Sequence, residues 1–243
     1  MKVNKKQREK TKIKLIEAAV DLIIKNGYEK STMREIARKA GVGDATIYNY
    51  FSTKEQLVWG YVTLRQEQAV NNLAQIPDFE TFSLQEKLHA YFECILEGYL
   101  PDREFISMAI KMTHKSILTH SDEVKKLNAI FINQIKQFLA DAIKNEEIPE
   151  QAIETVIPYL ILDLYFIILL YWTKDTSEQF NQTTQLIELL LSIAVSVLKQ
   201  GLVSKLADLG SFLFRHHLFN HMETLFESAS FGDIKDKIKK FKP

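Results

Sequence analysis

The run from Ser31 to Phe51 (STMREIARKAGVGDATIYNYF) leaves room for one arrangement, two short helices joined by a tight turn. Ser31 and Thr32 carry hydroxyl oxygens that accept from the orphan backbone N–H groups of a helix start. Glu35 stands three residues after Thr32, the spacing at which each side chain caps the other residue's N–H. Ile36, Ala37 and Ala40 make a small inward face. Gly41 takes the left-handed conformation that ends a helix, and Val42 plugs the angle that follows. Gly43 or Asp44 opens the second helix, in which Ile47 and Phe51 lie four apart on the inner side. Asp44 is read as its cap, and acceptance from a cytosine amine is the other role open to it. The outer side carries Thr46, Tyr48, Asn49 and Tyr50. Two tyrosines, an amide and a hydroxyl on one exposed face suit a helix lying in the major groove, reading base edges and gripping phosphates.

Three pieces, Ala37-x-x-Ala40-Gly41-Val42, Thr46-Ile47-Tyr48-x-Tyr50-Phe51 and Lys54-Glu55-x-Leu57, together resemble the DNA-binding domain of the tetracycline-repressor (TetR) family. The resemblance covers about residues 10–60. Gly43 sits where the family often has a serine cap, and Ala45 where it often has glycine. The resemblance implies an N-terminal three-helix helix-turn-helix domain followed by a larger helical bundle that binds an effector and dimerises. It places the DNA-binding domain at 1–52, a connecting helix at 53–76 and the effector and dimerisation domain at 77–243. It also implies DNA contacts from Thr32, Arg34, Gly43, Asp44, Ala45, Thr46, Tyr48, Asn49, Tyr50 and Lys54.

Composition independently favours an all-α chain. Only 8 glycines and 5 prolines occur in 243 residues, too few for a strand-and-turn architecture. The 31 basic and 31 acidic residues balance, but unevenly along the chain. Residues 1–60 hold 13 Lys and Arg against 7 Asp and Glu, a net of +6, and the remainder carries −6. A basic end on an acidic body predicts nucleic acid at that end alone. Lys2, Lys5, Lys6, Arg8, Lys10, Lys12 and Lys14 lack a following apolar run, so they read as a phosphate-contacting arm rather than a secretory signal. The single cysteine, Cys94, forms no internal disulfide, which suits a cytoplasmic protein.

Amphipathic helices follow one another along the chain. Ile13, Ile16, Val20, Ile23 and Ile24 mark a first helix that ends at Asn26-Gly27. Ser52-Thr53-Lys54-Glu55 is a capping box for a helix over 53–75, and Lys54 at its N-terminus is placed to hold a phosphate. On that helix Leu57, Tyr61 and Leu64 face one way, and Gln66 to Gln68 are polar. Pro77-Asp78 marks a boundary, and Ser83-Leu84-Gln85-Glu86 opens a helix striped with Leu84, Leu88, Tyr91, Ile95 and Tyr99. Pro101 suits the first turn of the next. A further helix carries Leu127, Phe131, Ile135, Phe138 and Ala142. Two more are expected at 150–174 and 178–199, with one or two beyond 202 and a lysine-rich tail.

Ile153–Trp172 is long and apolar enough to span a bilayer, but Glu154, Pro158 and Asp163 interrupt it. A helix buried on nearly all sides, with no membrane partner, is the better reading. By the resemblance, 150–174 and 178–199 form the dimer interface, with Leu186, Leu189, Leu190, Ile193, Val197 and Leu198 on its face. An effector pocket is expected from Tyr91, Ile95, Tyr99, Met108, Met112, Phe131 and Tyr165, apolar and aromatic, with Asp163 as a buried acid needing a partner. No basic residue stands out there, so a small neutral or cationic lipophile is expected.

No enzyme motif emerges. His217 and His221 have zinc-ligand spacing beside His216, but no cysteine or acidic partner completes a metal site. Cys94 with His89 or His114 reads as a buried thiol rather than a nucleophile. No cofactor is called for. The chain therefore reads as a ligand-responsive, homodimeric transcriptional regulator, expected to repress from an inverted-repeat operator in double-stranded DNA. The reading from another class is a helical small-molecule-binding or interaction scaffold without sequence-specific DNA binding, which a salt-dependent gel shift would separate.

Overall fold

The computed structural model describes residues 5–116, 122–150, 154–202, 205, 208 and 209. Among them the regular structure is helical throughout. In order run α1 (Lys5–Asn26), α2 (Met33–Lys39), a 3-10 turn (Ile47–Asn49), α3 (Lys54–Leu73), α4 (Leu84–Tyr99), α5 (Arg103–Ser116), α6 (Asp122–Lys144), α7 (Ile157–Trp172) and α8 (Asn181–Lys199).

The N-terminal headpiece forms as its sequence requires. Thr32 and Glu35 make the reciprocal capping box at the start of α2, and Gly41 takes φ +70° at its end. Ile36, Ala37 and Ile47 are fully buried, with Phe51 close behind. They pack under α1, whose buried face is Leu15, Ile16, Ala19, Val20 and Ile23, whereas Ile24 stands 41% exposed. The basic N-terminus is helical from Lys5 onward, and Lys2 lies outside the described residues.

The chain enters α3 one residue later than the Ser52 box predicts. Thr53 is the cap and accepts from the N–H of Gln56, whose side chain in turn accepts from the N–H of Ser52. The start of α3 fits closely against the headpiece at Gly60. A Cβ there would stand 3.0 Å from Phe51 Cε1 and 3.4 Å from Ile16 Cδ1. Beyond that point α3 packs against α4 and α6, while Glu67, Gln68, Asn71 and Asn72 keep an exposed side. Gln66, expected on a polar face, is 4% exposed and donates to the Tyr91 hydroxyl. Tyr61 and Arg65 both bond Asp102 at the α4–α5 corner, at 2.8 and 3.3 Å.

The body is built on an aromatic ladder. Tyr91 and Phe92 of α4, Phe131 of α6 and Tyr165 of α7 stack or tilt with centroids 5.1–6.1 Å apart. Each such pair contributes about 0.5–1.5 kcal/mol beyond its buried area. The expected α4 stripe is buried, and so is the α6 stripe apart from the half-buried Leu127.

Helix α7 begins at Ile157 rather than near 150, with Pro158 in its first turn. Nor is it buried on nearly all sides. Tyr159, Leu160, Ile167 and Tyr171 are 40–55% exposed, and Asp163 shares that open side. Asp163 is therefore not the buried acid expected of it. Its helix position points away from the chain's own core, so the carboxylate needs no partner within the chain. The buried acid is Asp175 instead, which accepts from the N–H and hydroxyl of both Ser177 and Thr183 at 2.6–2.9 Å. Burial alone would raise its pKa, but those four bonds outweigh it and hold the carboxyl far below its usual range. Beside it Arg103 donates to the carbonyls of Trp172 and Asp175 and lies over the rings of Trp172 and Phe180. The α7–α8 corner is fixed by these two charged groups. No helix among the described residues is long and apolar enough to cross a membrane.

Candidate DNA interface and effector cavity

The turns from Gly43 to Tyr50 close through bonds from Thr46 N to the Gly43 carbonyl, Asn49 N to Thr46 and Tyr50 N to Ile47. In place of the expected second helix stands a three-residue 3-10 segment, Ile47–Asn49, which Ile47 and Phe51 anchor from beneath. Its outward residues are then fixed by period. Tyr48 is 55% exposed, Asn49, Ala45 and Gly43 are exposed, and Thr46 and Tyr50 are half-buried.

Asp44 does not cap this segment, which lacks a side-chain cap. Its carboxylate pairs with Arg34 at 3.1 Å and Arg38 at 3.6 Å. An acid that would repel phosphates is thereby screened, and both guanidiniums, 70% and 66% exposed, are held on the outer edge of α2. Thr32 also departs from expectation. Its hydroxyl accepts from Glu35 N and donates to the Glu35 carboxylate, so it has no donor left for a phosphate. Lys54 donates to the Tyr28 carbonyl at 2.6 Å and lies over the Tyr28 ring. It ties α3 to the α1–α2 loop with one of its three donors. Arg8, 5.9 Å from the Tyr50 ring, brings the basic start of α1 to the same face. Sequence reasoning placed Arg8 in the basic arm but passed over Arg38 as a contact candidate, although its helical position puts it on the headpiece's exposed edge.

Beneath the headpiece lies a cavity of about 100 Å³. Trp59, Val62 and Gln66 of α3 form one wall. Tyr99 of α4, Ile106, Ala109 and Ile110 of α5, Leu127, Asn128 and Phe131 of α6, and Leu162, Tyr165 and Phe166 of α7 complete it. Of the eight expected residues, Tyr99, Phe131 and Tyr165 line it. Tyr91 and Ile95 are core residues behind that lining, and Met108 is half-buried outside it. The side chain of Met112 lies outside the described residues, and Asp163 is on the opposite side of α7. The Tyr165 hydroxyl is buried and, among the described residues, has only the Tyr99 hydroxyl near it, short of a well-formed hydrogen bond. Burial, and then the neighbouring Tyr99 and Tyr91 hydroxyls, raise its pKa well above the ordinary tyrosine value.

Cys94 is half-buried, and burial followed by Glu97 and Glu93 pushes its thiol up to about 11. It is therefore a protonated, unreactive group at neutral pH. His89 pairs with Glu93 at 3.4 Å. His216, His217 and His221 lie outside the described residues, as does the side chain of His114.

Residues 15–59 match the model of the bacterial regulatory proteins of the tetR family, and 87–213 that of the tetracyclin repressor-like C-terminal domain. The Fatty acid metabolism regulator protein of Bacillus subtilis (strain 168) is 26% identical over 145 residues, 60% of this chain and 74% of that protein. The fatty acid degradation regulator FadR from Bacillus halodurans superposes with a TM-score of 0.59 at 19% identity, over 79% of this chain and 96% of that one. Thermus thermophilus FadR, a TetR-family repressor in complex with lauroyl-CoA, gives 0.55 at 19% identity over 78% and 94%. With both halves of the family pattern matched in order, the chain belongs to the TetR family of bacterial transcriptional regulators.

Proposed function

We propose that the protein is a cytoplasmic, ligand-responsive repressor that binds an inverted-repeat operator as a homodimer and is released by a small lipophile. The observation that carries this reading is α3. Its Gly60 packs against Phe51, beneath the exposed Tyr48–Asn49 face, and its Trp59, Val62 and Gln66 wall the apolar cavity. Thr46, Tyr48 and Asn49 read bases in the major groove. Arg34, Arg38 and Tyr50 hold phosphates, and Lys54 joins them at the N-terminus of a 20-residue helix. Residues 1–52 act as the DNA-binding domain, 53–76 as the connecting helix and 77–243 as the effector and dimerisation domain. Support for a lipophile comes from the apolar lining and from the names of relatives concerned with fatty-acid metabolism.

Asn49→Ala is expected to relax base choice at one operator position, with about 1–3 kcal/mol of discrimination lost. Lys54→Ala should instead weaken binding to every sequence alike and reduce the salt slope by about one. Selecting operator fragments with the parent protein, then measuring gel shifts of both variants across a salt series, tests the pair. Unchanged binding by both would refute the contact assignment.

A further inference from the structure

We infer that the group recognised inside the cavity is an uncharged, oxygen-bearing one, such as a ketone, ester or amide, on an aliphatic chain, held by the Tyr165 hydroxyl as donor. The inference deepens the effector reading above and rests on it. Tyr165 is 6% exposed and lines the cavity, and its hydroxyl has only the Tyr99 hydroxyl near it among the described residues, short of a well-formed hydrogen bond. A buried hydroxyl without a partner is costly, and a ligand oxygen removes that cost. The polar groups that reach the same lining are Tyr99, Gln66 and Asn128, all neutral. Among the described residues no Lys, Arg, His, Asp or Glu belongs to it. A carboxylate inside would lose water without gaining a counter-charge, and an ammonium would meet no acid. A plain hydrocarbon would fill the space and leave Tyr165 unpaired. Both charge signs and the bare alkane are thus disfavoured by the same wall.

The inner space is smaller than the ~150 Å³ that accommodates a benzene ring, but the cavity is not closed, so a probe seats its polar end inside and leaves the rest of its chain at the mouth. Short probes are therefore the appropriate test. 2-Octanone, octane, octanoate and octyltrimethylammonium share a chain and differ at its end. Binding is measured on the protein without DNA, at mildly alkaline pH, by calorimetry and by the fluorescence of Trp59. 2-Octanone is expected to bind about tenfold tighter than octane, the worth of one good hydrogen bond, and tighter than either ion. Tyr165→Phe should remove that preference and leave octane binding intact, which also shows that the variant folds. Ala109→Leu, which fills the lining, should abolish binding of every probe. Tighter binding of octanoate or the ammonium overturns the inference. So does a ketone preference that survives Tyr165→Phe, or saturable binding by none of the probes. Release from operator DNA is read separately. A Tyr165-dependent ketone that binds but leaves DNA affinity unchanged refutes the effector role and leaves the cavity chemistry standing.

Discussion

Ile193→Asp is expected to turn the protein into monomers and to lower operator affinity by at least about a hundredfold. Ile193 and Leu189 of α8 are 61% and 63% exposed, and Tyr159, Leu160, Ile167 and Tyr171 of α7 stand open as well. Between the two helices runs an apolar groove of about 270 Å³ lined by Leu160, Ile161, Leu164, Leu190, Ile193 and Val197. Contiguous apolar surface of this kind marks an interaction site. Fully burying each of these side chains contributes roughly 1.5–3 kcal/mol. In a two-fold dimer one substitution appears on both sides, so two uncompensated carboxylates would enter the interface, each costing about 3–5 kcal/mol. A monomer grips a single half-site and loses the joint binding of the pair. Sedimentation equilibrium at micromolar concentration, with gel shifts on the same samples, checks this. A monomeric parent, or a variant that stays dimeric with full affinity, would sink the assignment of this face.

Asp175→Ala should destabilise the fold by about 2–4 kcal/mol, since it strands four donors that now meet one carboxylate in a buried corner. The pH dependence has a definite sign. The folded carboxyl titrates below its ordinary value. Its stabilisation is therefore fully present above the unfolded pKa of about 3.9 and lost as pH falls through the folded one. The parent should lose stability steeply in acid, and Asp175→Ala should start lower at neutral pH with a flatter acid limb. Thermal melts from neutral to acid pH decide it; parallel curves would contradict the role given to Asp175.

These two residues also show what could be read from the chain and what could not. The capping boxes at Thr32 and Ser83 and the stripes of α4 and α6 were legible because local spacing alone sets them. The direction a helix face points was not. Asp163 lies within the most apolar run, and a mean over such a run says nothing about which side has neighbours. Gln66 and Trp59 failed to stand out for the opposite reason. A polar residue on a connecting helix reads as solvated until neighbouring helices are seen to enclose it. Asp44 shows a third limit. A residue at cap spacing prefers the nearby arginines once α2 brings them within 3.1–3.6 Å, and only the turn geometry reveals their approach.

The close fit of Gly60 against Phe51 and Ile16 has a thermodynamic consequence. With no slack at that joint, the first turns of α3 belong mechanically to the headpiece, although Trp59 and Val62 already touch the cavity. A ligand that shifts this wall must carry the Tyr48–Asn49 face with it, and a bound operator must hold the wall still. Linkage makes the effect reciprocal: whatever factor the ligand takes from operator affinity, the operator takes from ligand affinity. Molecules seated on their promoter should thus respond at a higher ligand concentration than those free in solution.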